Sequence, residues 1–345
     1  MTDAERRPRL TPPIADVRRA VRDTLAAAGL GEGDRVLVGL SGGADSLALA
    51  AAAAFEGPRA GIQVGAVIVD HGLQDASAEI ADRAREQAVA LGLDPVVVKR
   101  VEVATADAGG PENAAREARR TAFVEALVEA KASHVLLAHT LDDQAETVLL
   151  GLARGSGAAS LQGMAQASGS TLRPLLGIRR ATTRQACLDA GLTPWDDPHN
   201  LDPSYTRVRV RLEVLPVLER ELGPGVAEAL ARTAEQLRED AQAFDEMIEE
   251  VIEDICEPAE AGIAVSVGAL EANPPALRNR IIRFVVFSEF GVALERVHVV
   301  AVARLVTDWH GQKPLDLPCG IRAARAGGRI VFSTTGSTTV LPHDH

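Results

Sequence analysis

The first part of the chain alternates between short apolar runs and longer segments with helical periodicity. The apolar runs have the length of buried strands and cover residues 35–40, 62–69, 95–101 and 134–138. The segments with helical character cover residues 14–28, 47–55, 75–91, 111–131 and 141–152. Because strands that alternate with helices form right-handed crossover units, this pattern predicts an α/β fold, with a parallel sheet covered by helices on both faces.

The pattern changes after residue 179. We expect helices at residues 179–190 and 205–218, separated by a polar, turn-rich segment, and then one long amphipathic helix at residues 226–255. A short strand after residue 262, two helices at 275–290 and 294–309, and a β-meander at 315–332 follow. The predicted domain organisation is a disordered tail at 1–13, an α/β domain at 14–220, a linker helix at 221–258, a smaller helical plus β-meander domain at 259–333, and a second disordered tail at 334–345.

Composition indicates a globular protein. With 345 residues, 46% hydrophobic and 24% charged, the chain is long enough for two domains with sizeable cores. We find no apolar run that would cross a bilayer and no apolar segment of a signal peptide near Met1. The three cysteines are far apart in sequence, which argues against a disulfide framework or a zinc knuckle. We therefore expect a cytoplasmic protein without membrane contacts.

The charge distribution does not decide whether the protein binds a nucleic acid. A net charge of −12 and an aromatic content of 3% argue weakly against a general nucleic-acid binder. Arginines nevertheless cluster at four places, namely Arg116, Arg119 and Arg120; Arg179, Arg180 and Arg184; Arg207, Arg209 and Arg211; and Arg278, Arg280 and Arg283. Each cluster fits either a solvated face or a set of phosphate contacts, and the sequence leaves both interpretations open.

A glycine-containing turn links the first predicted strand to the next helix. Its sequence is Ser41-Gly42-Gly43-Ala44-Asp45-Ser46. Adjacent glycines and a helix N-terminus present free N–H groups, which favours binding of a phosphate. The turn has no lysine and is not a Walker A loop, so we expect Mg²⁺ on Asp45 to supply the missing positive charge. The alternative is a strand-to-helix turn without a ligand.

Further polar residues follow other strands of the predicted sheet. Asp70 and His71 end the second strand, and His139 follows the fourth. Asp143 and Glu146 share one face of the next helix, where two carboxylates would hold Mg²⁺ or an ammonium group. The alternative is that acids favour the first helical turn because of the helix dipole. Ligands bind at the carboxyl ends of parallel strands, which is where all these residues fall.

The turn at Ser41 resembles the PP-loop of the N-type ATP pyrophosphatases, which cleave ATP between its α- and β-phosphates. Several further segments follow it in order: residues 69–73, 112–119, 138–147, 154–157, 174–176 and 196–202. Together, over about the first 218 residues, they resemble the tRNA(Ile)-lysidine synthetases. Residues 311–318 are similar to part of that family's small substrate-binding domain. The chain departs from the family pattern at His199 and at Val208, which bears on the roles of Asn200 and Arg207.

The resemblance implies that ATP, with Mg²⁺, adenylylates the C2 oxygen of the wobble cytidine of tRNA-Ile(CAU), and that L-lysine then displaces AMP. The residues implied in nucleotide binding are Ser41, Gly42, Gly43, Ala44, Asp45, Ser46, Asp70, His71 and His139. The implied catalytic residues are Asp45, Asp143, Glu146, Arg116, Arg119 and Arg207. Those implied in substrate binding are Asp143, Glu146, Asn200 and Arg207, and those implied in metal binding are Asp45 and Asp143.

Two other functions are weighed against this one. A PP-loop tRNA thiolase would commonly carry cysteine pairs, and this chain has none. A non-catalytic nucleotide-binding module would not need the acids at Asp45, Asp143 and Glu146. Pyrophosphate release that depends on both lysine and tRNA separates the ligase from the module. The sequence does not decide the oligomeric state, and a homodimer is one of the assemblies open to it.

Overall fold

The computed structural model describes residues 10–70, 72, 77–101, 111–155, 157–259 and 262–334, with the side chains of residues 111–116 left aside. The chain divides into two compact units, Met1–Arg238 and Glu239–His345. No helix in these described ranges is both long enough and apolar enough to cross a membrane. The predicted tails lie mostly outside the described residues.

The N-terminal unit is built on a mostly parallel sheet. Its strands are β1 (Arg35–Gly39), β2 (Gln63–Asp70), β3 (Val96–Arg100), β4 (His134–Leu136), β5 (Ala167–Ser168) and β6 (Thr171–Leu172). They follow the order β3-β2-β1-β4-β6-β5, and β5 alone among these strands runs antiparallel to its neighbour. The predicted parallel-sheet α/β fold is confirmed. The two-residue strands β5 and β6 are missing from the prediction because so short a segment carries no periodicity.

Helices cover both faces of this sheet. The helices of this unit are α1 (Pro12–Ala27), α2 (Ala44–Glu56), α3 (Ser77–Ala90), α4 (Pro111–Ala130), α5 (Leu141–Arg154), α6 (Ala158–Leu161), α7 (Arg180–Asp189), α8 (Thr206–Arg209), α9 (Leu215–Leu222) and the first part of α10 (Val226–Ile255). Alternate residues of β1 separate the two cores. Val36 and Val38 are buried with residues of α1, α2 and α7, whereas Leu37 is buried with residues of α4.

The predicted helix at 205–218 is wrong in its extent. The chain forms α8, then a π-helical turn at Val210–Val214, and then α9. Pro216 lies in the first turn of α9 and lacks the N–H that a continuous helix would need at that position. A π turn before the proline absorbs the mismatch. The helix at 226–255, in contrast, has the predicted bounds.

The C-terminal unit combines helices with an antiparallel sheet. Beyond the second half of α10, its elements are β7 (Cys256–Ala259), β8 (Gly262–Ser266), α11 (Val267–Ala272), α12 (Pro275–Phe290), α13 (Arg296–Thr307), β9 (Leu315–Leu317), β10 (Ile321–Ala326) and β11 (Arg329–Thr334). The sheet has the order β7-β8-β11-β10-β9. The strands β9, β10 and β11 are the predicted meander. The linker segment predicted at 221–258 contains α10 but also the start of β7.

Candidate active site

The turn between β1 and α2 is fixed by its own serines and by a neighbouring segment. Gly42 has φ +80°, a left-handed conformation that a side chain would strain. The Ser46 hydroxyl donates to the Gly43 carbonyl at 2.9 Å and accepts from the Ser41 N–H at 3.2 Å. From the other side, the Trp195 N–H donates to the Gly42 carbonyl at 2.9 Å. The turn is therefore held in one conformation.

The N–H groups of this turn are available to a ligand. No described residue accepts a hydrogen bond from the N–H of Gly42, Gly43 or Ala44. Ala44 begins α2, so the free N–H groups and the positive end of the helix dipole lie at the same place. Such an arrangement binds phosphate oxygens.

Asp45 lies in the first turn of α2 and is partly buried. Its Oδ1 accepts from the Thr183 hydroxyl, and its Oδ2 lies 3.8 Å from Arg180 Nε, too far for a hydrogen bond. Burial raises the pKa of Asp45, and the nearby Asp143 adds to this effect, against the opposing contributions of Thr183 and Arg180. A carboxylate oxygen without a donor among the described residues, in a site that penalises its charge, fits a divalent cation.

The segment at the start of α5 forms a capping box. The Thr140 N–H and the Thr140 hydroxyl both donate to Asp143 Oδ2, each at 2.8 Å. The Asp143 N–H lies 3.4 Å from Thr140 Oγ1. This motif fixes Asp143 at the carboxyl end of β4 and places Glu146 one turn further along α5, with its side chain fully buried.

Three arginines surround this acid pair. We call the group of Asp143, Glu146, Arg180, Arg207 and Arg211 the arginine–carboxylate hub. Arg211 donates through Nε to Glu146 Oε1 at 2.8 Å and through Nη2 to Oε2 at 3.1 Å. Arg180 Nη2 lies 2.6 Å from Asp143 Oδ1 and 3.1 Å from Glu146 Oε1. Arg207 Nη1 is 3.6 Å from Glu146 Oε2.

The hub keeps Asp143 ionised. Burial alone would raise its pKa, but Arg180 and the two hydrogen bonds from Thr140 outweigh burial, so that the pKa of Asp143 is lowered. The same carboxylates, together with Asp45, raise the pKa of the Arg180 guanidinium against its own burial. A carboxylate with a lowered pKa is a better ligand for a cation than an acceptor of a proton.

His139 lies beside the hub as a neutral imidazole. Burial lowers its pKa to about 4, with smaller contributions from the positive charges of Arg173, Arg207 and Arg119 and against the opposing effect of Asp143. Its buried Nδ1 has no hydrogen-bond partner among the described residues. The electrostatic effect also means that Arg119, on α4, faces the same region as His139 and Arg207.

The remaining predicted residues have weaker or undescribed links to this site. Asp70 ends β2, and its Oδ1 accepts the Gly72 N–H at 2.9 Å. His71 and the side chain of Arg116 lie outside the described residues. Asn200 is exposed in the turn Pro198–Leu201, and no hydrogen bond or ion pair given for the described residues joins it to the hub.

Sequence reasoning missed Arg180 and Arg211 as members of the site. The sequence indicates them only as members of arginine clusters that fit either a solvated face or phosphate contacts. A signal was present for Arg211, since it follows Arg207 by four residues in a predicted helix and would share a face with it. For Arg180 the sequence offers no such pairing, because its partners Asp143 and Glu146 are more than thirty residues away.

Comparison with known proteins agrees with this geometry. Residues 16–218 match a PP-loop domain, and residues 266–331 match a TilS substrate binding domain. The chain is 65% identical to the tRNA(Ile)-lysidine synthase of Leifsonia xyli subsp. xyli, over 88% of this chain and 91% of that protein. It is 50% identical to the tRNA(Ile)-lysidine synthase of Thermobifida fusca, over 93% of this chain and 98% of that protein.

A solved structure provides a fold-level likeness. The U34-tRNA thiolase NcsA from Methanococcus maripaludis, with its [4Fe-4S] cluster, superposes with a TM-score of 0.55 at 22% identity, over 66% of this chain and 79% of that one. This likeness concerns the fold alone. The two matched domains and the extent of the sequence identity confirm the resemblance drawn from the motifs, and the chain belongs to the tRNA(Ile)-lysidine synthase family.

Proposed function

We propose that the protein uses ATP to join L-lysine to C2 of the wobble cytidine of tRNA-Ile(CAU), through an adenylylated tRNA. The products are lysidine, AMP and pyrophosphate, and the modified anticodon reads AUA in place of AUG. One observation carries the proposal. A turn with free N–H groups adjoins Asp45, and Arg180 links Asp45 to the acid pair Asp143 and Glu146. A phosphate-binding element and a cation-binding element therefore lie side by side.

In the first step, the O2 atom of cytidine attacks the α-phosphorus of ATP. An O–P bond forms, the bond to the β-phosphate breaks, and pyrophosphate leaves. The N–H groups of Gly42, Gly43 and Ala44 hold the phosphates, and the hydroxyls of Ser41 and Ser46 join them by giving up their present hydrogen bonds to Ser46 and to the Gly43 carbonyl. These donors act where negative charge increases during the step. Asp70, His71 and His139 complete the nucleotide site.

The donor set near the turn supports a role for Mg²⁺. Asp45 Oδ2 accepts no hydrogen bond from a described residue, so Asp45 would hold the ion together with phosphate oxygens. Both oxygens of Asp143 already accept from Thr140, Arg180 and Arg211, so Asp143 would join only after an arginine moves. The ion would supply positive charge to the departing pyrophosphate.

In the second step, the ε-amine of lysine attacks C2, the bond from C2 to the AMP oxygen breaks, and the nitrogen loses a proton. Lysine arrives as an ammonium ion because its ordinary pKa is about 10.4. Asp143 and Glu146 bind this ammonium group and help to pass one of its protons to water, which leaves the neutral amine that attacks. Arg116, Arg119 and Arg207 neutralise the charge of the leaving AMP, and Asn200 contacts the substrates. ATP, lysine and tRNA are all cytoplasmic compounds, and we assign the enzyme to the cytoplasm.

The decisive experiment follows pyrophosphate release from ATP, with lysine and unmodified tRNA-Ile each present or absent. We expect multiple turnover only with both. Cleavage of ATP that needs neither would instead identify a nucleotide-binding module with adventitious hydrolysis.

Two variants, Asp45→Ala and Asp143→Ala, test the residue assignments. Both should lose turnover while their circular dichroism spectra stay unchanged. The control is Asp82→Ala, which removes an exposed ion pair with Arg85 on α3. Near-normal turnover in either site variant would remove that residue from the mechanism.

A further inference from the structure

Arg180 is a cation within the acid site to which we assign the lysine ammonium group. It is the first residue of α7, and its side chain is 27% exposed. Its guanidinium approaches acids from two other helices. Nη2 is 2.6 Å from Asp143 Oδ1 and 3.1 Å from Glu146 Oε1, and Nε is 3.8 Å from Asp45 Oδ2. The chain itself therefore provides a positive charge at the carboxylates on which the proposed function relies.

The oxygens of Asp143 are fully engaged in this arrangement. Oδ2 accepts two hydrogen bonds from Thr140, and Oδ1 accepts one from Arg180 and one from Arg211. Each carboxylate oxygen has about two lone-pair sites, so no acceptor site of Asp143 remains. An ammonium group has three donors and needs such sites. Lysine therefore binds to Asp143 only after one of its present partners withdraws.

The same argument applies to one oxygen of its partner acid. Oε1 of Glu146 accepts from Arg180 and from Arg211, whereas Oε2 accepts from Arg211 alone at hydrogen-bonding distance. Withdrawal of Arg180 would release one acceptor site on Asp143 and one on Glu146. These two sites lie within 3.1 Å of one nitrogen atom, which is the geometry that a single ammonium nitrogen requires.

Of the two arginines that donate to Asp143, Arg180 can withdraw more readily than Arg211. Arg211 uses two nitrogens on the two oxygens of Glu146, and a bidentate pair of this kind is strong. Arg180 reaches Asp143 and Glu146 through one nitrogen, and its Nε already lies toward Asp45. A rotation of Arg180 toward Asp45 keeps its charge next to the phosphate-binding turn.

We propose that Arg180 is a positioning residue that holds the place of the lysine ammonium group. In the protein without substrate it neutralises Asp143 and Glu146, and bound lysine displaces it toward Asp45 and the nucleotide phosphates. One positive charge replaces another, so the buried acids are never left without a cation. This inference rests on the proposed function, since it assumes that lysine binds to Asp143 and Glu146.

The arrangement predicts that one mutation in the site should strengthen lysine binding. When Arg180 blocks the site in some of the molecules, only the unblocked molecules can bind lysine. The apparent affinity then equals the intrinsic affinity multiplied by the unblocked fraction. Arg180→Gln removes the competing charge, so lysine should bind about fivefold more tightly or better. Turnover should fall by about tenfold, since the charge is then missing beside the phosphates. A merely structural role would weaken binding and turnover together.

The test measures the lysine Kd of the full chain by isothermal titration calorimetry and kcat by lysidine formation. The matched control is Arg184→Gln, one turn further along α7, where the guanidinium pairs with the exposed Asp196. Arg180→Lys keeps a cation but loses the guanidinium that holds Asp143 and Glu146, so its turnover should recover, whereas its lysine Kd should lie between those of Arg180→Gln and the unaltered protein. It also serves as the second variant if Arg180→Gln does not fold, since its lysine Kd should then lie below that of the unaltered protein.

The outcomes separate this inference from the proposed function. Unchanged or weaker lysine binding by a folded Arg180→Gln protein, or by Arg180→Lys where the first variant does not fold, overturns the role of Arg180. Asp143→Asn and Glu146→Gln form the second arm. If both bind lysine normally, the lysine site of the proposed function is wrong. If they lose lysine while Arg180→Gln gains nothing, the lysine site stands and only the role of Arg180 is lost.

Discussion

Arginines cluster in both units, but carboxylates surround the cluster in the N-terminal unit, and few of the described carboxylates lie around the cluster in the C-terminal unit. In the arginine–carboxylate hub, Arg180 and Arg211 each contact two buried or partly buried carboxylates. In the C-terminal unit, Arg280, Arg283 and Arg296 form what we call the basic group. Burial and the charges of its two neighbours lower the pKa of Arg283. Arg280 lies 3.7 Å from Asp245, but no carboxylate among the described residues pairs with Arg283 or Arg296.

The difference shows that clustering in sequence does not define the role of an arginine. Several members of the predicted clusters bind the protein itself. Arg179 pairs with Asp142, Arg209 donates to the carbonyl of Pro203, and Arg278 donates to the carbonyl of Leu270. The basic group, in contrast, has unpaired charge within the described part of its unit. We therefore propose that the basic group is where the C-terminal unit contacts the phosphates of tRNA.

The largest effect should come from breaking the hub. Arg211→Met removes the bidentate partner of the fully buried Glu146 and should cost about 3 kcal/mol of unfolding free energy, as expected for a buried charge that loses its partner. Arg209→Met, two residues earlier, removes hydrogen bonds to exposed carbonyls and serves as the control. Urea denaturation measures both. Equal losses in the two variants would mean that the hub is no more stabilising than a surface contact.

The next effect should appear at His139, which its burial keeps neutral, with a smaller contribution from the arginines near it. Its folded pKa of about 4 lies below the ordinary 6.5, so the unfolded state binds the proton more readily. Stability from this residue is complete above pH 6.5 and is lost as the pH falls toward 4, by up to about 3 kcal/mol. His139→Gln should flatten the dependence of unfolding free energy on pH in this window. His134→Gln, on β4, is the control, and an unchanged slope in His139→Gln would contradict the assignment.

The sheet and its loops followed well from the sequence, because their signals are local. Buried strands have a recognisable length, and the residues after Gly39, Val69 and Ala138 fall at one end of a parallel sheet whatever the details of packing. The bounds of α10 and α12 were also predictable, since an amphipathic period is continuous over many residues. These features need no knowledge of distant contacts.

The partners of Asp143 and Glu146 were not predictable in the same way. Their ion pairs join α5 to α7 and to the π turn before α9, segments that are separated by more than thirty residues. No periodicity connects such positions. The π turn itself depends on how Pro216 is accommodated, and a helix prediction has no means of placing Arg211 within it. Arg207 was assigned to the site through family resemblance alone.

The basic group offers a direct test on RNA. Arg283→Ala and Arg296→Ala should each weaken tRNA binding by about fivefold and reduce the salt dependence of log K by about one unit of slope. Arg322→Ala is the control, since Arg322 on β10 already pairs with Asp316 at 2.9 Å. Filter binding at several salt concentrations gives both quantities. If the slope does not change, the basic group carries only surface charge.

An exposed phenylalanine beside the basic group allows a second test of tRNA binding. Phe287 follows Arg283 by four residues on α12 and is 59% exposed. Phe287→Ala should weaken tRNA binding without changing the salt slope, because stacking of a base on a ring releases no counterions. A change in slope for this variant would point instead to a rearrangement of the neighbouring arginines.

The smallest effect on unfolding free energy should come from Glu219, an acid whose negative charge is stabilised mainly by backbone N–H groups. Glu219 accepts hydrogen bonds from the N–H groups of Gly225, Val226 and Ala227 at the start of α10, and its pKa is lowered, chiefly by the Ala227 N–H. Glu219→Ala should cost about 1 kcal/mol, as the loss of an N-cap does. Glu221→Ala, an exposed acid paired with Arg220, is the control.

The pH dependence of this contribution distinguishes it from that of His139. The stabilisation by Glu219 is complete at pH values above its unfolded pKa and disappears as the pH falls through its lower folded pKa. At pH 7 the Glu219→Ala loss should therefore be full, whereas the unfolding free energies of the variant and the unaltered protein should approach each other as the pH falls below the ordinary glutamate pKa of about 4.3. Failure to converge would mean that packing of the side chain, and not its charge on free N–H groups, stabilises the start of α10.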